Sequence, residues 1–209
     1  MKTLIINAHP DPHAAEAATN RMVQHLVARL PAGSTEIVNL AEADIQPLDK
    51  DMLDAIVHTV FQRQQPDSGQ CALLARSGEV IAQVKSAPRL VIAYPMYNFG
   101  IPARLKDWVD NIVMPGQTFQ YDENGTPKGL MGAHKVLLLQ ASGSVYSTGP
   151  MAQLEFSVSY LQAVLGGFLG FASVDVVRAE GTAQAAGPEA AVQRALAEID
   201  ARLEGFLAD

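Results

Sequence analysis

Residues 89–108 read RLVIAYPMYNFGIPARLKDW, and this stretch decides the fold. Its first six residues are almost continuously apolar, which is typical of a strand buried on both faces of a parallel sheet. A loop with proline, asparagine and glycine follows. Pro102 then lies in the first turn of a helix, where a missing N–H does no harm. Apolar residues recur at helical spacing from Ile101 to Val113. The stretch therefore predicts one strand–loop–helix unit of an α/β sheet.

Four further runs predict strands of the same sheet. Thr3–Asn7 and Lys135–Ala141 are nearly continuous in apolar residues, while Glu36–Asn39 and Val174–Arg178 are weaker. Amphipathic helical patterns lie between these runs, and the alternation indicates a parallel sheet with right-handed crossovers. We expect a single domain over residues 1–209. Its predicted fold is a flavodoxin-like three-layer fold, with a five-stranded parallel sheet of order 2-1-3-4-5 and helices on both faces.

Two segments exceed what this scheme needs. Gln46–Ser86 is long enough for two helices where one would suffice. Pro115–Gly132 contains a short alternating strand followed by Asn124 and Gly125, a pair that favours a tight turn. We predict a hairpin that projects from the carboxyl edge of the sheet. Ligands bind at that edge in doubly wound sheets, so the hairpin could line a site.

Composition narrows the classes of function. The chain has 209 residues, of which 48% are hydrophobic and 18% charged, which is too apolar for a disordered protein. Its formal net charge of −7 disfavours nucleic-acid partners, because non-specific binding there relies on Lys and Arg. A small anionic ligand remains compatible with this charge, since backbone N–H groups can bind phosphate.

The distribution of apolar residues predicts a cytoplasmic location and no membrane partner. The first apolar run breaks after a few residues, so we expect no signal peptide. No run approaches the roughly 20 apolar residues that span a bilayer. The single cysteine, Cys71, cannot form an internal disulfide, which favours a reducing compartment.

The turn after the first strand reads NAHPDPH, residues 7–13, and has three interpretations. It could be a rigid strand-to-helix connection. It could also be a metal site, because Ala-His-Pro-Asp resembles the opening of zinc-dependent N-deacetylases. That family continues with a second acidic residue, where this chain has Pro12, and no two histidines have the His-x-x-His spacing it needs. The third interpretation is a phosphate loop, in which a helix beginning near Glu16 points its N-terminal amides at an anion. His9 and Thr19 would then add side-chain hydrogen bonds.

The loop at residues 94–100 is the more specific candidate. Tyr97 and Phe99 could be ordinary loop aromatics at a sheet edge. They share the loop with Pro95, Asn98 and a glycine, immediately before a helix. This arrangement predicts a rigid backbone with exposed amides beside apolar faces, which suits a flat heteroaromatic ring.

Four segments resemble one known family. YPMYNFGIPARLK at residues 94–106 is similar to the flavin-contacting segment of the FMN-dependent NADH-azoreductases, within the flavodoxin-like NAD(P)H:quinone oxidoreductases. GQTFQYDENG at 116–125 resembles their hairpin, and LQASGSVY at 139–146 replaces their glycine-rich flavin loop. FLGF at 168–171, with AEG at 179–181, is a fourth match. The resemblance spans most of the chain.

The resemblance implies an FMN-dependent enzyme that passes hydride from NADH or NADPH to a quinone or azo compound in a ping-pong reaction. It implies a homodimer with sites at the interface and no metal. Thirteen residues would bind FMN: His9, Ala17, Ala18, Thr19, Pro95, Met96, Tyr97, Asn98, Phe99, Ala141, Ser142, Gly143 and Ser144. Phe119 and Tyr121 would help form the substrate pocket. Tyr97, Tyr121 and Tyr146 are candidate proton donors, or simply stacking aromatics. The reactive centre would be the flavin N5, with no catalytic side chain.

The chain departs from the family at two positions. Ala17-Ala18-Thr19 stands where a Ser-x-Ser pair is frequent, and Ser142-Gly143-Ser144 stands where Arg-Gly-Gly is common. Two alternative functions share the fold: a flavodoxin-like electron carrier and a flavin-binding regulatory subunit. The charge pair formed by Arg104 and Asp107 is expected on a solvated helix face.

Overall fold

The computed structural model describes residues 1–208. A parallel five-stranded sheet of order β2-β1-β3-β6-β7 forms its centre. The sheet strands are β1 (Thr3–Asn7), β2 (Thr35–Asn39), β3 (Arg89–Pro95), β6 (Lys135–Ser142) and β7 (Ser173–Glu180). The antiparallel hairpin strands are β4 (Phe119–Tyr121) and β5 (Pro127–Gly129). When sheet strands alone are counted, the order is 2-1-3-4-5. The predicted fold is therefore confirmed, and each predicted strand extends by no more than two residues at either end.

Helices cover both faces of this sheet. They are α1 (Ala18–Val27), α2 (Lys50–Ile56), α3 (Ser68–Lys85), α4 (Ala103–Ile112), α5 (Ser157–Leu161) and α6 (Gly187–Leu207). Helices α1 and α6 share one apolar core with the sheet, while α3, α4 and α5 share the other. Strands β1 and β3 are buried along their whole length, which explains their continuous apolar sequence. Within residues 1–208, no helix combines the length and apolarity that crossing a bilayer requires.

The hairpin forms at the predicted position and is docked against the body of the protein. Gly125 makes its tight turn at a φ of +78°, a conformation that glycine adopts without strain. Gly129 packs directly on the main chain of Leu169. A methyl group built on Gly129 would lie 2.2 Å from the Leu169 carbonyl carbon. Close backbone contact therefore fixes the hairpin at the edge of the sheet.

The segment before β3 contains the two predicted helices, α2 and α3, joined through a π-helical turn at Val57–Phe61. The expected contact of Arg104 with Asp107 is present and the Arg104 side chain is 41% exposed, but Arg104 also makes contacts that the sequence did not indicate. Its guanidinium donates hydrogen bonds to the carbonyl oxygens of Leu40, Ala43 and Ile45, at 2.7 to 3.2 Å. Arg104 thus ties α4 to the loop after β2, and its contact with Asp107 is longer, at 3.7 Å.

Candidate functional site

Three loops meet at the carboxyl edge of the sheet because β1, β3 and β6 are consecutive neighbours. Main-chain bonds join them where the strands end. The Ala8 N–H donates to Ala93 O, and the Met96 N–H donates to Ala141 O, both at 2.8 Å. The residues that the resemblance assigns to FMN lie at the ends of these strands, in the loops after them and in the first turn of α1. The structure therefore brings together three segments that are far apart in sequence.

The first loop leads to the open N-terminus of α1. Ala17 occupies the N-cap position, and no side chain caps the helix there. The first amides of any helix lack partners inside the helix. Thr19 is 1% exposed, and its hydroxyl has no hydrogen-bond partner. Free amides beside an unpartnered buried hydroxyl are the donors that a phosphate needs.

The loop before α1 is held by side chains rather than by regular structure. The Asn20 amide donates to the carbonyl oxygens of Asp11 and Ala14, both at 2.9 Å. His9 Nδ1 lies 2.6 Å from Asp11 O. The Arg21 guanidinium, on the same helix, is committed to the Glu189 carboxylate at 2.7 and 3.0 Å. An anion at this helix end would therefore depend on amides and hydroxyls.

The second loop turns sharply after β3. Tyr97 and Gly100 exchange two main-chain hydrogen bonds, at 3.1 and 3.0 Å. Between them, Asn98 and Phe99 have φ values of +48° and +69°. Such left-handed backbone is unfavourable for residues other than glycine and occurs frequently at binding sites. The turn leaves the Tyr97 and Phe99 rings 46% and 39% exposed.

The third loop follows β6 and is held by the end of β7. The Glu180 carboxylate accepts the Tyr146 and Ser147 N–H groups at 2.7 and 2.8 Å, and the Ser147 hydroxyl at 2.5 Å. The Tyr146 ring then meets Phe99 edge to face, with ring centroids 6.1 Å apart. Within the loop, the Ser142 hydroxyl donates to Ser144 O at 2.9 Å. The second and third loops therefore present one continuous aromatic edge.

The two predicted substrate residues of the hairpin are in contact but differ in exposure. Tyr121 is 51% exposed. Phe119 is 4% exposed and packs between Tyr121 and Phe168, with centroid distances of 5.5 and 4.6 Å. Tyr121 is thus accessible to a ligand, while Phe119 supports it from within the protein.

The zinc-deacetylase interpretation of the first loop requires a cluster of metal ligands. Within the described part of the chain, no three His, Cys, Asp or Glu side chains group as metal ligands would.

A separate groove of about 470 Å³ lies between α2 and α3, where it is lined by Asp51, Asp54 and Arg76 among others. It shares no lining residue with the three loops. The convergence of main-chain donors, an unpartnered hydroxyl and aromatic rings makes the three loops the candidate functional site.

Sequence reasoning missed two residues, Gln140 and Glu155, that form a hydrogen-bonded pair beneath this site. Gln140, on β6, is fully buried and donates to the Glu155 carboxylate at 3.0 Å. A glutamine in the otherwise apolar run Lys135–Ala141 was the available signal, because a buried amide requires partners. The role of Glu155 had no such signal, since it lies in an irregular segment before α5.

Comparisons with known proteins agree with this geometry. The family described as having a flavodoxin-like fold matches residues 1–203. An FMN-dependent NADH:quinone oxidoreductase 1 of Lactiplantibacillus plantarum is 35% identical over 175 residues, covering 81% of each chain. A protein named FMN-dependent NADH:quinone oxidoreductase of Dechloromonas aromatica is 38% identical over 174 residues, covering 81% of this chain and 82% of its own. A crystal structure of an FMN-dependent NADH-azoreductase of Bacillus anthracis, in complex with FMN, superimposes with a TM-score of 0.89 at 32% identity, covering 99% of both chains.

Proposed function

The chain belongs to this family of flavodoxin-like proteins, and from that premise we propose that it is an FMN-dependent NAD(P)H oxidoreductase that reduces quinones or azo compounds. The observation that carries the proposal is the turn at residues 97–100. It combines two left-handed residues, Asn98 and Phe99, with exposed aromatic rings. Backbone strain of roughly 1 to 3 kcal/mol per residue is retained where the surrounding structure requires it, as at a cofactor site.

The chain's own groups fit FMN. The uncapped start of α1 and the buried Thr19 hydroxyl supply neutral donors for the phosphate. The main chain of residues 96–99 would bind one edge of the ring system, and residues 141–144 the other. When bound, FMN supplies the hydride chemistry between NAD(P)H and the second substrate. The protein's part is to position the ring and exclude water from its reactive face.

The aromatic edge defines where substrates would bind. Phe99 and Tyr146 meet edge to face beyond the ends of β3 and β6, and Tyr97 is exposed on the same turn as Phe99. A flat nicotinamide and a flat quinone both stack on such rings, so they would use the same space in turn. One space for two substrates predicts ping-pong kinetics with parallel double-reciprocal lines. Intersecting lines would contradict a shared site.

The three exposed or half-buried tyrosines have two possible roles. Tyr97, Tyr121 and Tyr146 carry hydroxyls that could donate a proton to the product. Each could instead act only as a stacking ring. Replacement by phenylalanine separates the roles, because it keeps the ring and removes the proton. A lower kcat with an unchanged KM for the quinone would identify the donor.

Steady NADH consumption by the purified protein, with menadione or an azo dye present, tests the proposed enzyme class. An electron carrier or a regulatory subunit with this fold would bind flavin without sustained turnover. We expect turnover that requires both NADH and the acceptor. Failure to consume NADH while FMN stays bound would favour one of the two alternatives.

We further propose a homodimer, in the cytoplasm, with the sites at its interface. Four large apolar side chains between residues 48 and 61, in and beside α2, are exposed. They are Leu48, Leu53, Val57 and Phe61, at 37% to 57% exposure. Monomeric proteins rarely leave contiguous apolar surface uncovered. Sedimentation velocity at micromolar concentration should give twice the mass of the 22.3 kDa chain, and a monomer would contradict the proposal.

A further inference from the structure

A buried polar cluster lies beneath the loop that contains the 97–100 turn. It consists of Tyr94, Gln140, Glu155 and Ser157, and we call it the Gln140 cluster. Tyr94 and Gln140 are paired neighbours on β3 and β6, one and two residues before the last residues of these strands. Tyr94, Gln140 and Ser157 are all 0% exposed. Polar groups so deeply buried are costly unless they bond to one another.

Glu155 is the centre of this cluster. Its carboxylate accepts the Gln140 amide at 3.0 Å and the Ser157 hydroxyl at 2.6 Å. It also accepts the Ser157 and Val158 N–H groups at 3.1 and 3.0 Å, and the Ser159 N–H at 3.4 Å. Within residues 1–208, no Lys, Arg or His forms an ion pair with this carboxylate. Five hydrogen-bond donors and no ion-pair partner indicate a carboxylate that organises its surroundings through hydrogen bonds.

The charge of Glu155 also fixes the orientation of Gln140. The Gln140 Nε2 group donates toward Glu155, toward the Ser157 hydroxyl at 2.9 Å, and toward the Met96 sulfur at 3.6 Å. Its Oε1 atom is buried and has no partner. The opposite orientation would place this oxygen against the carboxylate, where two acceptors would repel. The Gln140 side chain therefore adopts the orientation that leaves its Oε1 atom unpaired and presents its N–H groups to Glu155 and Met96.

The cluster holds both ends of the strained turn. At one end, Gln140 contacts the Met96 side chain, and the Met96 N–H is bonded to Ala141 O next to Gln140. At the other end, the Phe156 N–H donates to Phe99 O at 3.1 Å. Phe156 lies between the two cluster residues Glu155 and Ser157. A single carboxylate thus organises contacts to both ends of residues 96–99.

We propose that Glu155 is a positioning residue for bound FMN, acting through Gln140 and through the Phe156 main chain to keep Asn98 and Phe99 in their left-handed conformation. This inference rests on the proposed function. Glu155 makes no contact with the open face itself. Its loss would let Asn98 and Phe99 relax, which would displace the main-chain donors that bind the edge of the ring. FMN affinity and the redox potential of the bound flavin would then change together.

The experiment compares Glu155→Gln with wild type and with the matched control Ser159→Ala. Ser159 Oγ donates to the main-chain oxygen of Glu155 at 3.1 Å, on the exposed side of the same turn. The control therefore removes one local hydrogen bond without touching the carboxylate. Apoprotein is titrated with FMN by fluorescence, and the midpoint potential of the bound flavin is measured. We expect Glu155→Gln to weaken FMN binding about tenfold and to shift the potential, because bonds to a charged group are about twice as strong as neutral ones. Ser159→Ala should match wild type in both.

The outcomes separate this inference from the proposed function. If wild-type apoprotein binds no FMN, the proposed function fails. If wild type binds FMN and Glu155→Gln has the same affinity and potential as Ser159→Ala, the positioning role is wrong while the proposed function stands. Thermal melting of the apoprotein checks that each variant folds. If Glu155→Gln does not fold, Ser157→Ala replaces it, since it removes only one buried hydroxyl of the cluster. It should weaken FMN binding about threefold, and wild-type affinity would overturn the proposal.

Discussion

Glu180 gives a direct prediction about the loop after β6. Its carboxylate fixes the Tyr146 and Ser147 N–H groups and the Ser147 hydroxyl at 2.5 to 2.8 Å. Each such bond is worth roughly 1.5 to 3 kcal/mol when a charged group is involved. Because the loop is partly exposed, water can replace many of these hydrogen bonds when the carboxylate is removed, and this reduces the net loss of free energy. We therefore expect Glu180→Ala to cost about 1.4 kcal/mol of FMN binding in total, which corresponds to a tenfold higher Kd.

The assay is fluorescence titration of apoprotein with FMN, with Glu180→Gln as the matched variant. The glutamine keeps an oxygen that can accept both N–H groups, so its Kd should rise no more than about threefold. Urea unfolding of the apoprotein should change little for either variant, because the bonded loop lies at the surface. Wild-type affinity in Glu180→Ala would refute the reasoning. Equal losses in the two variants would show that the charge matters and the loop geometry does not.

Three further predictions concern stability. Gly129→Ala should lower the free energy of unfolding by about 1 to 3 kcal/mol in urea titrations, because its methyl group would lie 2.2 Å from the Leu169 carbonyl carbon. In the same titrations, Asn98→Ala should lower the free energy of unfolding by about 1 kcal/mol and Asn98→Gly should leave it nearly unchanged, because the φ of +48° is unfavourable for alanine. The hydrogen bond from Arg21 lowers the pKa of Glu189 from 4.5 to about 2. The Arg21–Glu189 pair therefore stabilises the folded protein fully above pH 4.5, and this contribution is lost as the pH falls toward 2. In acid unfolding curves, Arg21→Met should lack this pH-dependent part of the free energy of unfolding.

The fold could be predicted from sequence because its local signals agree with one another. The buried strands at residues 3–7, 89–95 and 135–142 are continuous apolar runs, and helices on both faces require that pattern. The hairpin was predictable from Asn124 and Gly125, because a tight turn needs those residue types. The function of Arg104 was not predictable. Its acceptors are main-chain oxygens of a loop that is distant in sequence. Every residue type has a main-chain carbonyl, so the sequence does not show which ones accept these hydrogen bonds.

The site was predictable where side-chain types carry the chemistry and unpredictable where the backbone does. The motif at residues 94–100 located the turn, but nothing in the sequence specified left-handed Asn98 and Phe99. Likewise, Phe119 was expected in the substrate pocket beside Tyr121. The two residues are two positions apart on the same side of β4, but Phe119 packs against Phe168 and is only 4% exposed. Glu155 and Glu180 act on main-chain groups that only the folded chain brings within reach.

The most direct test of the whole account is the visible spectrum of the purified protein under anaerobic conditions. We expect an absorption band near ~450 nm from bound oxidised FMN, which one equivalent of NADH or NADPH bleaches and menadione then restores. The band should persist through gel filtration at moderate ionic strength, because amides and hydroxyls hold the phosphate rather than net charge. A colourless protein that takes up no FMN, or a bound flavin that neither NADH nor NADPH reduces, would contradict the account.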